Sequence, residues 1–189
     1  VEGGAGADEI DSGAGDDLVR GGSGADSLST GAGRDHVIGG AGADSVTAGS
    51  GDDTLTGGAG ADTLEGGAGA DSISAGPSGD DVISGGSRDD TIRDTDGEHT
   101  VSGGDGADNI TASGPIDGGA GDDRLSMYDY TGGAKDVFGG SGDDTITIQR
   151  SQTDSEISAY GGAGNDNLRT DYYGGRDSLY GGSGDDTLY

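Results

Sequence analysis

The sequence predicts an all-β fold, a two-sheet parallel β-solenoid of about ten coils with 18 residues in each coil. Three observations lead to this prediction. Glycine supplies 46 of the 189 residues, the chain repeats with a period of nine residues, and an aliphatic residue recurs once in each repeat. Hydrophobic residues make up only 28% of the chain and the formal net charge is −28, so an ordinary globular core is not expected.

The repeat is a nonapeptide with the consensus G-G-x-G-x-D-x-U-x, in which U is aliphatic. Eight such units run without insertion over residues 3–74, beginning with GGAGADEID. The glycines permit a tight turn, and the x-U-x segment is typical of a short strand with U on one face. Two units bring the chain round once, so each coil has two turns and two strands. Consecutive coils should lie about 4.8 Å apart.

Aspartate occupies the sixth position of all eight of these units. Stacking like turns would align the carboxylates along each edge, where two charges about 5 Å apart repel by roughly 3 kcal/mol at an effective dielectric near 20. A cation is therefore expected between them. Carboxylate and carbonyl oxygens, in a motif without histidine or cysteine, favour calcium over zinc or copper.

The candidate calcium ligands are the position-six aspartates of the whole chain: Asp8, Asp17, Asp26, Asp35, Asp44, Asp53, Asp62, Asp71, Asp81, Asp90, Asp108, Asp123, Asp144, Asp166 and Asp186. Backbone carbonyls of the turns should supply further oxygens, among them those of Gly3, Gly21, Gly39, Gly57, Gly66, Gly85, Gly103, Gly118, Gly139, Gly161 and Gly181.

This motif resembles that of the RTX family (repeats-in-toxin, the hemolysin-type calcium-binding repeats), and the resemblance covers nearly the whole chain. It implies a right-handed parallel β-roll with calcium in the turns. It also implies type I secretion from a bacterium, with an uncleaved C-terminal signal. Neither that signal nor a toxin or enzyme domain is visible in the sequence.

Two segments are expected to differ in their calcium sites. Residues 3–74 should have two intact edges, whereas residues 75–189 should continue the roll with one intact edge and one degenerate, Tyr-rich edge. We call the edge that begins with Asp17 the even edge, and the edge that begins with Asp8 the odd edge. On the odd edge, units from Ala75 onward are lengthened or shortened, and His99 replaces the sixth-position aspartate, which predicts a lost or weakened site. The two edges together predict roughly 8–15 calcium ions.

Aromatic residues are confined to the second segment, from Tyr128 onward. Phe138, Tyr160 and Tyr180 each directly precede a Gly-Gly pair, at position nine of successive odd units. They should therefore form an exposed ladder with one ring in each coil. Such a ladder either stabilises a metal-poor edge by ring stacking or offers a contact patch for a partner or a second copy of the chain.

Several classes of function are not expected. The negative charge would repel phosphate backbones and anionic membrane surfaces, and no apolar run approaches the ~20 residues of a membrane span. Nucleic-acid binding and membrane insertion are therefore not predicted. A row of identical aspartates is typical of a metal array rather than of the single carboxylate pair that a glycosidase needs, so no catalysis is expected.

Two functions remain open from the sequence. One is an extracellular calcium-dependent structural β-roll, secreted or on a bacterial cell surface, that builds a surface layer, filament or adhesin stalk. Head-to-tail stacking of open strand edges would give a homopolymer. The alternative is the calcium-folding secretion module of a larger type I-secreted toxin, protease, lipase or epimerase. In both cases the chain should fold only where calcium is abundant.

Overall fold

The structure is a computed structural model that describes residues 1–130, 132–150, 156–170 and 176–189. Within these residues every helix or strand assigned is a β-strand, and the strands form two parallel sheets. Each strand pairs with the strand two places away in the sequence, so the chain alternates between the sheets as it winds. The predicted all-β parallel solenoid is confirmed. The described residues contain no apolar helix of the length that a membrane crossing requires.

The sheets contain 11 and 10 strands. The larger sheet consists of β1 (Glu2–Ala5), β3 (Leu18–Ser23), β5 (His36–Ala41), β7 (Thr54–Ala59), β9 (Ser72–Ser74), β11 (Thr91–Asp94), β13 (Asn109–Ala112), β15 (Arg124–Asp129), β17 (Thr145–Arg150), β19 (Asn167–Thr170) and β21 (Thr187–Leu188). The smaller sheet consists of β2 (Glu9–Asp11), β4 (Ser27–Ala32), β6 (Ser45–Ser50), β8 (Thr63–Ala68), β10 (Val82–Ser87), β12 (Thr100–Asp105), β14 (Ile116–Ala120), β16 (Ala134–Ser141), β18 (Glu156–Ala163) and β20 (Ser178–Ser183).

Coil length varies along the chain, but the strand register does not slip. Equivalent turn residues are 18 residues apart in the first coils. Later they are 15, 21 and 22 residues apart. The aliphatic positions still pair across these irregular coils, as Val101 with Ile116 and Ile116 with Val137. Both sheets therefore run unbroken past residue 74. The lengthened segments at 148–160 and 170–180 lie partly outside the described residues.

The core is a narrow layer of aliphatic side chains between the two sheets. The U residues of both sheets face inward, and Val19, Leu55 and Ile146 are at most 1% exposed. Position one lies two residues after U and faces the same way, because side chains alternate along a strand. Two large residues occupy position one on the odd edge, Met127 and Ile148, and both are fully buried. Apolar packing there fills the space that glycine leaves open elsewhere.

The turns stack so closely that glycine is strongly favoured at positions two and four, with Thr95 and Arg88 the exceptions among the nine-residue units. Gly58 and Gly60 have φ angles of 123° and 134°. A Cβ added to Gly60 would overlap the carbonyl oxygen of Gly42, one coil earlier. Among the described residues, Arg88 is the one non-glycine residue with a positive φ, at 84°. The repeated glycines are thus required both by backbone conformation and by coil-to-coil contact.

Candidate functional site

The even edge carries an unbroken row of aspartates. The backbone N–H of each aspartate donates a hydrogen bond to Oδ1 of the aspartate one coil later, over N···O distances of 2.7–3.0 Å. The row consists of Asp17, Asp35, Asp53, Asp71, Asp90, Asp108, Asp123, Asp144, Asp166 and Asp186. The structure therefore brings together all the ligands that the sequence predicted for this edge.

The odd edge carries a shorter row of the same kind. Its hydrogen bonds link Asp8, Asp26, Asp44, Asp62 and Asp81 in order, over 2.6–2.9 Å. The N–H of Asp81 then donates to Nδ1 of His99 at 2.9 Å, so the imidazole takes the place of the next carboxylate. The aspartate row on this edge ends at that histidine within the described residues.

The second carboxylate oxygen, Oδ2, has a different environment. On most of these aspartates Oδ2 is buried and accepts no hydrogen bond from the described residues. A Cβ built on Gly39 would lie 2.7 Å from Oδ2 of Asp44 and 2.6 Å from the carbonyl oxygen of Gly57. The carboxylate and the carbonyl of the next coil therefore converge on a space that glycine leaves open. Buried carboxylates need a positive charge nearby, and an oxygen-only donor set fits calcium.

The same convergence recurs along both edges. It involves the position-one glycines that the sequence singled out as carbonyl donors, Gly3, Gly21, Gly39, Gly57, Gly66, Gly85, Gly103, Gly118, Gly139 and Gly161, each beside the aspartate five residues later. Gly181 lies beside Asp186 in the last described turn.

The first turns of the even edge depart from this arrangement. Position one is Ser12, Thr30 or Ala48 there instead of glycine. The hydroxyl of Thr30 donates to the carbonyl oxygen of Ala48 at 3.0 Å, and the hydroxyl of Ser12 donates to that of Thr30 at 3.4 Å. In the glycine turns the equivalent carbonyl oxygens face the aspartate. In these first even turns they accept a hydrogen bond from a side-chain hydroxyl instead.

Burial perturbs the protonation of the row when no metal neutralises it. Burial raises the pKa of Asp71 to about 6 and that of Asp90 and Asp123 to about 7, and charged neighbours in adjacent turns add to the effect. The hydrogen bond that each carboxylate accepts from a backbone N–H lowers the pKa but does not offset burial. Without a metal, Asp90 and Asp123 therefore keep their protons to a much higher pH than an ordinary aspartate does.

We expect the calcium-free chain to be more ordered at pH 4.5 than at pH 8. A carboxyl with a pKa of about 7 in the folded chain and about 3.9 in the unfolded chain binds its proton more tightly when folded. Stability of the metal-free fold is then lost as the pH rises from about 4 to about 7. Far-UV circular dichroism in buffer freed of calcium by a chelating resin measures this change. A signal that does not vary between these pH values would contradict the expectation.

A second row of carboxylates lies outside the first and was not anticipated from the sequence. Position-five side chains accept a hydrogen bond from the position-five N–H of the next coil, as Oδ1 of Asp16 does from Arg34 at 2.9 Å. Asp122 and Asp143 form the same contact at 2.8 Å. The direction along the roll is opposite to that of the position-six row. These carboxylates are solvent-exposed, so they reinforce stacking at little electrostatic cost.

The odd edge beyond His99 contains an internal lysine, which the sequence analysis missed. Lys135 is the single lysine of the chain and is only 4% exposed. Its Nζ lies 2.7 Å from Oδ1 of Asp129 and donates to the carbonyl oxygen of Gly132 at 3.0 Å. A carboxylate and a turn carbonyl thus face a positive charge that belongs to the chain. The sequence signal was a lone cation in a lengthened unit that lacks the consensus aspartate.

The predicted aromatic residues stack on the outer face of the smaller sheet. The ring centroids of Phe138 and Tyr160 are 5.0 Å apart, and those of Tyr160 and Tyr180 are 4.8 Å apart. The interplanar angles are 10° and 8°. Phe138 and Tyr180 are 43% and 52% exposed. The rings therefore follow the coil repeat while part of their surface stays open to solvent.

Oxygen-lined turns in a parallel β-roll define a class of calcium-binding repeat modules. A family model of the RTX calcium-binding nonapeptide repeat matches residues 1–28, 20–55, 47–77, 76–110, 116–126, 131–147, 158–172 and 173–189. The chain belongs to the RTX family, which confirms the resemblance noted from the sequence. Membership implies multiple bound calcium ions, as predicted. A comparison with curated proteins found no match.

Proposed function

We propose that the chain is an extracellular structural β-roll that folds when calcium binds. The observation that carries this proposal is the row of buried Oδ2 atoms, which accept no hydrogen bond from the described residues. Water cannot reach these charges and repulsion acts along the row, so the fold requires cations at the turns. Calcium supplies that positive charge when bound, and the chain supplies the carboxylate and carbonyl oxygens.

The proposed calcium ligands are the position-six aspartates named from the sequence, together with the carbonyls of the position-one glycines. The even edge would hold calcium over residues 75–189 as well as over residues 3–74. The odd edge would hold it up to Asp81, and Met127, Ile148 and Lys135 would replace it further on. The chain's folding equilibrium then depends on the calcium concentration through many linked sites.

Replacing Asp144 by alanine should raise the calcium concentration at half-folding several-fold, whereas Asp136→Ala should change it little. Asp144 is 1% exposed and its Oδ1 accepts the N–H of Asp123 at 2.9 Å. Its loss removes a ligand and leaves a buried donor unpaired, which costs about 1–3 kcal/mol. Asp136 is exposed on β16 and serves as the matched control. Calcium titrations followed by circular dichroism measure both midpoints, and equal shifts would argue against the one-edge arrangement.

We further propose that the roll builds a surface layer, filament or adhesin stalk outside a bacterial cell. Its support is RTX membership, since these repeats are typical of secreted bacterial proteins. Copies would stack end to end through unpaired strand edges. The open ring faces of Phe138, Tyr160 and Tyr180 are a second proposed contact. Light scattering during calcium addition tests assembly, and replacing Phe138 and Tyr180 by serine separates the ring contact from end stacking.

The alternative is a secretion module that folds outside the cell and belongs to a larger toxin, protease, lipase or epimerase. The calcium-dependent turns support this function equally. It predicts that the mass in solution stays at that of one chain when calcium is added. It also predicts a natural gene product much larger than 18.2 kDa, which an intact-mass measurement would reveal.

A further inference from the structure

One turn of the odd edge departs from the consensus at three positions, with Thr95 at position two and the two departures that matter here at positions one and six. In the unit that begins at Asp94, an aspartate replaces glycine at position one and His99 replaces aspartate at position six. The structure brings these two side chains together with Asp81 of the preceding coil. Nδ1 of His99 lies 3.1 Å from Oδ2 of Asp94 and 3.2 Å from Oδ2 of Asp81. All three residues are at most 2% exposed.

The imidazole orientation leaves a lone pair inside this cluster. Nε2 of His99 contacts the carbonyl oxygen of Asp96, so the Nε2–H donates there and Nδ1 carries the lone pair. Nδ1 accepts the N–H of Asp81 at 2.9 Å and lies beside two carboxylate oxygens, and neither oxygen of Asp94 accepts a hydrogen bond from the described residues. Three electron-rich atoms at this spacing repel one another unless a proton or a metal ion lies between them.

The donor set differs from that of the other turns. Calcium takes oxygen ligands, whereas imidazole nitrogen suits zinc and related divalent transition metals. A tetrahedral zinc ion with bonds of about 2.0–2.1 Å holds its ligand atoms about 3.3–3.4 Å apart, close to the two Nδ1–Oδ2 distances here. The hydrogen bond from Nε2–H to a backbone carbonyl is also the usual outer contact of a metal-bound histidine.

We propose that Asp81, Asp94 and His99 form a binding site for one divalent transition-metal ion, such as zinc, within the calcium-binding roll. Binding through Nδ1 replaces the hydrogen bond that this atom accepts from the N–H of Asp81. The ion neutralises two carboxylates in a turn where an imidazole replaces one of the oxygen ligands that calcium would need. The site shares Asp81 with the end of the odd calcium row, whereas Asp94 and His99 belong to none of the proposed calcium sites.

A protonated histidine is the competing source of positive charge. An Nδ1–H could donate to either carboxylate without any metal. Burial lowers the pKa of His99, although Asp81, Asp80 and Asp96 oppose this effect. Burial and the charges of Asp81 and Asp96 raise the pKa of Asp94 to about 8. Both directions favour a neutral imidazole, and a proton on Asp94 is a second competitor that a metal ion has to displace from this cluster.

The test is a titration of the full chain with Co²⁺ and Zn²⁺ in saturating calcium. Visible absorption of Co²⁺ reports nitrogen and oxygen ligation, and calorimetry of Zn²⁺ gives the stoichiometry. His99→Asp restores the consensus residue at position six, and the double variant Asp94→Gly/His99→Asp restores positions one and six, so both are expected to fold as the other coils do. His36→Ala removes the other histidine of the chain and is the matched control.

We expect one transition-metal ion per chain in the wild type and in His36→Ala. Both consensus variants should lose that ion, with at least a ten-fold weaker affinity for zinc. Circular dichroism in calcium should be the same for all four proteins. Equal zinc binding by the wild type and the double variant would overturn the proposal. Loss of binding in His36→Ala would also overturn it, as would NMR evidence that His99 stays doubly protonated at neutral pH with excess zinc present.

Discussion

Removing calcium at pH 7.5 should abolish most of the β-structure of this chain. The interior is a thin layer of aliphatic residues. Beside it, most of the position-six carboxylates have an Oδ2 atom that accepts no hydrogen bond from the described residues. At this pH even Asp90 and Asp123, whose pKa burial raises to about 7, are mostly ionised. The repulsion along each row then outweighs the small apolar core.

Circular dichroism and the hydrodynamic radius, measured in excess EDTA, are the appropriate observations. We expect the strand signal to disappear and the radius to increase toward that of an unfolded chain, with both changes reversed by calcium. Magnesium at the same concentration should restore little of the strand signal, because it requires a smaller octahedral site and keeps its water ligands. A complete strand signal in EDTA at this pH would contradict the proposed role of calcium.

Replacing Gly60 by alanine should destabilise the calcium-bound roll by more than about 4 kcal/mol. A positive φ alone costs a residue with a side chain about 1–3 kcal/mol. The added Cβ would also overlap the carbonyl oxygen of Gly42, so two coils would have to separate. Denaturant unfolding in saturating calcium measures the loss, with the calcium midpoint as a second readout.

Gly133→Ala is the control that separates conformation from stacking. Gly133 has a φ of 100°, yet an added Cβ there would meet nothing within 4 Å. Its substitution should cost only the conformational part, about 1–3 kcal/mol. Equal losses for the two variants would mean that coil-to-coil contact is not what excludes side chains from the turns.

Much of the architecture could be predicted because the repeat is short and regular. The period of nine places U inward and the aspartate in the turn, and parallel stacking then aligns like residues. The strand register, the even row and the end of the odd row at His99 follow from counting units. The side-chain hydroxyls of Ser12 and Thr30 in the first even turns were overlooked, since the count treated every position one alike.

Residues in irregular units were harder to place. In β15 the inward alternation continues past Leu125 and Met127 to Asp129, so a carboxylate enters the interior well beyond the usual strand end. Whether Lys135 or its neighbour Asp136 points inward depends on the length of the turn between β15 and β16. The sequence contains no repeat there from which to count. Asp94 and His99 are two of three departures from the consensus in one unit, but only the coil geometry brings them together with Asp81.

The buried ammonium of Lys135 is a cation that the chain carries with it. Because it is covalently attached, its effective concentration beside Asp129 stays the same when free ions are diluted or chelated. No ion has to be captured from solution, and no translational entropy is lost when the contact forms. The coil containing β15 and β16 should therefore resist calcium depletion longer than its neighbours. A protein whose calcium-binding turns follow the composition of the medium thus keeps, on its odd edge, a turn with a cation of its own, where the coils can begin to stack again when calcium returns.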